Sequence, residues 1–158
     1  MEKQYIQMML ESLQKKEEVV KNLIVGSEKQ KEVLSAKEVD WDAFDALTAE
    51  KGNLIDELLQ LDEGFENLFE RVKEPLTQKK DMYKTEIGFM QATIRTLTDK
   101  SAELEALEQR NKKLVESRMA ESRQVIKQSK MGSQAAMQYY QRMNRINTVD
   151  PQLMDKKS

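Results

Sequence analysis

Two groups of residues in this 158-residue chain have types and spacings that could carry chemistry. Asp40, Asp42 and Asp45 crowd three carboxylates into six positions. Their spacing does not match a calcium loop, and no glycine stands where such a loop must turn. The same residues suit a helix start: Asp40 as N-cap, with negative charge following at the positive helix end. The second group is Met137, Tyr139, Tyr140, Met143 and Ile146, followed by Val149, Leu153 and Met154. Positions 136, 139/140, 143 and 146 form a short amphipathic face. Methionine adapts to varied apolar surfaces, and tyrosine buries area while keeping a polar tip. That is a composition for binding, either to a partner or, folded back, to the chain's own helices.

Catalytic sets are missing. There is no cysteine and no histidine, which removes thiol chemistry, the commonest metal ligand and the commonest general base. No phosphate-binding loop or paired nucleophile and base is legible. Carboxylate sites of the di-iron kind need histidines on the same helices. The expectation is a protein that is not an enzyme and has no catalytic residue, cofactor or metal.

The elements that position these residues are helices. Charged residues make up 34%, aromatics 6%, with five Gly and two Pro. This favours long helices joined along thin seams. Phe44, Leu47, Lys51, Leu54, Leu58, Leu61, Phe65, Leu68 and Val72 alternate steps of three and four, a heptad stripe with one charged member, Lys51. Ile55, Leu59 and Phe69 widen it on one flank, so this helix is expected to face two partners and to organise the fold. A weaker stripe runs through Ile6, Met9, Leu13, Lys16, Val20, Leu23, Ser27, Gln30 and Leu34, with a soft point at Gly26–Ser27. A third runs from Tyr83 through Ile87, Met90, Ile94, Leu97, Ser101 and Leu104, then decays into Glu108, Asn111, Val115, Arg118, Ser122 and Val125.

Val39 and Phe44 stand at the two positions of a hydrophobic staple around Asp40, and Ser35 with Glu38 offers a rival start. Trp41 is expected to plug the bundle end there. Pro75 should open a new helix and end the second near Lys73; the alternative is one kinked helix through Pro75. Gly132–Ser133 should end the third. The expected fold is all-α, an antiparallel three-helix coiled-coil bundle in residues 1–132, with helices at about 3–35, 41–73 and 76–130. Residues 133–158 form a partner-binding tail. A third helix of about 55 residues would reach about 80 Å, some 30 Å beyond the other two.

Charge is uneven. Residues 40–74 carry eleven acids against three bases, and residues 109–158 eleven bases against four acids. No basic–aromatic repeat accompanies the basic part, which argues against nucleic acid. No run reaches the length of a membrane span, and no signal-peptide core is present, so a soluble cytoplasmic protein without membrane insertion is expected.

Three stretches carry a resemblance: Leu47-x-x-x-Lys51-x-x-Leu54-Ile55-x-x-Leu58-x-x-Leu61, Glu108-Gln109-Arg110-Asn111-Lys112-Lys113-Leu114-Val115, and the ending from Tyr139-Tyr140 through Val149-Asp150-Pro151-Gln152-Leu153-Met154-Asp155-Lys156-Lys157. With these the chain resembles flagellar export chaperones of the FlgN type, with the FliT-type filament-cap chaperones as a close sibling. The resemblance implies binding to helix-forming C-terminal segments of hook–filament junction proteins, and delivery of these axial proteins to the type III export gate. It makes Tyr139 and Tyr140 candidates for gate docking. A structural coiled-coil homodimer and a non-flagellar adaptor are the alternatives.

Overall fold

The computed structural model describes residues 1–121 and 138–143. Three long helices pack together: α1, Glu2–Ser35; α2, Trp41–Gln78; and α3, Lys84–Ala120. A further helical stretch covers residues 138–143. Among the described residues there is no strand, and no helix is long and apolar enough to cross a membrane.

The helix at the centre is α1, which packs against both α2 and α3. This differs from the expectation that the Phe44–Val72 helix organises the chain. The reason lies in the α1 stripe. All nine of its positions are buried, including the polar Lys16, Ser27 and Gln30, and Val19 broadens it to face two neighbours. On α2 the buried line is Phe44, Thr48, Lys51, Ile55, Leu58, Phe65, Phe69, Val72 and Leu76. Leu47, Leu54, Leu61 and Leu68 are only half-buried. The face is thus rotated toward the flank that Ile55 and Phe69 define.

Contacts with α2 and its C-cap Lys79 run opposite to α1 from end to end, with Leu61 and Asp62 at neighbouring levels. Glu2 bonds Lys79, Ser12 bonds the Leu61 carbonyl, Lys16 pairs with Asp62 and Gln30 bonds Thr48. Contacts with α3 rise in the same order: Glu2 with Tyr83, Ser27 with Glu108, and Arg118 with the Ala36 carbonyl.

The first connection is capped as its residues suggest. Asp40 Oδ1 accepts from the Ala43 N–H at 3.0 Å, so Asp40, not Ser35, starts α2. Val39 and Phe44 share one apolar cluster with Leu34 and Val115, as a staple requires, and Trp41 packs edge-on to Phe44 at 5.6 Å. Arg118 fastens this loop by donating to the carbonyls of Ala36 and Lys37.

The second connection corrects two expected boundaries. α2 does not end near Lys73: it continues through Pro75 to Gln78, and α3 starts at Lys84, not at residue 76. An interior proline costs about 3 kcal/mol. Val72 and Leu76, on either side, are 1% and 2% exposed, and burying each contributes about 1.5–3 kcal/mol. Packing therefore outweighs the break. The chain turns instead at residues 79–83, where Tyr83, itself buried, donates to Glu2. α3 spans 37 residues against 34 and 38 for the others. The described part of α3 matches its neighbours in length and shows no overhang. Residues 122–130, which the longer third helix would include, lie outside the described residues.

Candidate functional site

The core is divided. A large apolar cluster runs from Ile6 to Leu23 on α1, Ile55 to Leu76 on α2, Tyr83 in the second connection and Met90 to Leu104 on α3. A small one surrounds Leu34, Phe44 and Val115. Between them lies a polar layer that the helical register creates. Ser27 and Gln30 come from α1, Thr48 and Lys51 from α2, Glu108 and Asn111 from α3, and all are buried.

Lys51 is the centre of this layer. Its ammonium donates to Gln30 Oε1 at 2.5 Å and to Glu108 Oε1 at 2.6 Å. Gln30 in turn donates to Thr48 Oγ1 at 2.8 Å. Glu108 Oε1 also accepts from the Ser27 hydroxyl and from the Tyr139 phenol, the latter at 3.0 Å. Asn111 Nδ2 donates to the Ser27 carbonyl at 2.8 Å. Burial holds the Lys51 ammonium below the usual lysine range, and the adjacent Glu108 carboxylate opposes that shift.

The segment 138–143 closes the layer from outside. The Tyr139 ring lies 4.3 Å from Lys51 Nζ, a cation–π contact. Arg142 donates to the Gly52 carbonyl at 3.0 Å and pairs with Asp56. Met143, one turn on from Tyr139, enters the large apolar cluster. Tyr139 packs edge-on to Tyr140 at 5.4 Å. Both phenols are pushed up, first by burial and then by the Glu108 charge. The segment thus bridges α2 and α3.

This locates the tail residues singled out in the sequence. Tyr139 and Met143 are 3% and 4% exposed, and Tyr140 is half-buried. All three cover the chain's own helices here, the fold-back arrangement weighed beside partner docking. Met137, Ile146, Val149, Leu153 and Met154 lie outside the described residues. Asp40 serves as a cap. Asp45 is raised by burial and then by Asp42, and no metal-ligating group of three acids occurs among the described residues.

Sequence reasoning missed the layer itself. Glu108 and Asn111 read as the decay of a stripe, and Gly26 as a soft point. The signal was present: polar residues stood at stripe positions on all three helices. Comparison with protein-family models, with curated proteins and with solved structures gives no match.

Proposed function

We propose that the chain is an export chaperone of the FlgN type, working in the cytoplasm, whose tail, residues 133–158, contacts the helical ends of hook–filament junction proteins or the export gate. On this reading the three helices are an antiparallel coiled-coil scaffold with no catalytic role, and the tail is its working part.

The observation that carries the proposal is the docked helical segment 138–143. Ordering six residues costs about 1–2 kcal/mol each. Against this stand two buried side chains at about 1.5–3 kcal/mol each and a few polar contacts at about 1 kcal/mol each. The terms nearly offset and leave docking favoured by only a few kcal/mol, so the segment can leave the helices without unfolding them. Its Tyr139–Met143 face then suits an amphipathic client helix, or a groove elsewhere, by the same chemistry.

The test is binding of peptides from the C-terminal ends of hook–filament junction proteins to the full chain and to a chain lacking residues 133–158. The proposal expects binding by the full chain only, with helicity nearly unchanged by the deletion. Equal binding by both chains, or collapse of the helices on deletion, contradicts it. Filament-cap protein peptides in a parallel arm separate a FliT-type client, and light scattering detects a homodimer.

A further inference from the structure

We propose that the missing side chain at Gly26 sets the docking of segment 138–143, acting through Lys51 on a segment that Gly26 does not itself touch. A methyl built at Gly26 would meet, beyond its own stretch of α1, Lys51 Cγ at 3.0 Å and Cδ at 3.2 Å. The Lys51 stem therefore passes through a notch in α1 that only glycine provides.

The stem has little room to yield. One end is fixed by the α2 backbone. The other is held by Gln30 at 2.5 Å and Glu108 at 2.6 Å, and the residue is 1% exposed. A shift of a few tenths of an ångström at Cγ is carried to the ammonium. There it disturbs the cation under the Tyr139 ring and the carboxylate oxygen that the Tyr139 phenol shares with Lys51. The neighbouring Ser27 hydroxyl holds that same oxygen. Gly26 and Ser27 together thus shape the socket that receives Tyr139. Docking of 138–143 obeys this rule whatever the tail binds.

Other glycines supply the control. Gly64 and Gly88 have nothing within 4 Å of an added methyl. Alanine at a helical glycine without a neighbour raises helix stability. Gly64→Ala should leave the tail docked.

The experiment is hydrogen exchange of the full chain, read by mass spectrometry on peptides covering 138–143 and on peptides from α1 to α3. Gly26→Ala should raise exchange in 138–143 roughly tenfold, the partial loss of one desolvated cation–π contact, while exchange in α3 does not rise, as it does not in Gly64→Ala. Unchanged protection of 138–143, or a rise shared equally by every helix, overturns the proposal. Lys51→Met is the second variant: it keeps the notch and the stem but removes the ammonium. It should expose 138–143 whether or not exchange in α3 also rises, and continued protection of 138–143 in this variant overturns the proposal as well.

Discussion

Replacing Lys51 by methionine tests the polar layer most severely. The substitution keeps the stem and removes the ammonium. Glu108, 4% exposed in the parent, would lose its cation; among the described residues its Oε1 keeps the Ser27 hydroxyl, and the Tyr139 hydroxyl while segment 138–143 stays docked. Gln30 would lose the donor at its Oε1. Removing one partner of a buried pair costs about 3–5 kcal/mol, because the other charge stays in a poor dielectric. That is a large share of a total stability of about 5–15 kcal/mol. With a urea slope of about 2 kcal/mol per molar, the midpoint should fall by about 2 M, followed by helical circular dichroism. Adding Glu108→Leu removes the stranded charge. The double variant should recover most of the loss and end within about 1–3 kcal/mol of the parent, since the two hydroxyls then lack an acceptor. A midpoint shift below about 0.5 M for Lys51→Met would mean a pair worth no more than a surface one. A double variant no better than the single would likewise refute the reasoning.

Three other outcomes follow from the same geometry. Pro75→Ala restores a backbone N–H inside α2 and should raise stability by up to about 3 kcal/mol, read as a higher urea midpoint; a fall would show that the proline is needed there. Asp40→Ala removes the cap on the Ala43 N–H and should cost about 1 kcal/mol in the same assay, with no change taken as evidence against the cap. Alkaline titration should release the tail. The docked Tyr139 phenol is held above the usual range by burial and Glu108, so its stabilising effect is complete below about pH 10, the free phenol's value. It fades as pH climbs further, because only the released segment ionises readily. Lys51, held low by burial, works in the opposite sense. Tyrosinate absorbance should show a late step, shared with Tyr140, that is smaller by one phenol in Tyr139→Phe; late steps of equal size in the two chains would contradict this.

Parts of the fold are legible from residue spacing. The nine α1 stripe positions are all buried, and Asp40 caps α2, because each depends on neighbours within a turn or two. Other parts depend on what lies across the seam. Pro75 reads locally as a helix start, yet Val72 and Leu76 keep α2 intact by packing. Leu54 and Leu61 look central on their own helix, and only the position of α1 rotates Ile55 inward. The polar layer is the clearest case. Lys51 and Glu108 are 57 residues apart, and each alone reads as an exception in a stripe. Only the register of three helices places them at one level. The notch at Gly26 is hidden for the same reason, since glycine in a helix reads first as a weak point. The tail's double reading, partner contact or fold-back, cannot be resolved by composition, because the same Tyr139 and Met143 face serves both.

The central claim is that residues 138–143 lie across α2 and α3 over the Lys51–Glu108 pair. The chain has no cysteine, so spin labels can be placed without background at Asn53→Cys and Gln141→Cys. Both positions are exposed, and each adjoins a partner in the Gly52–Arg142 hydrogen bond. Pulsed electron paramagnetic resonance should give a short, narrow distance distribution that does not change on dilution with unlabelled chain. A broad distribution at long distance would contradict the account.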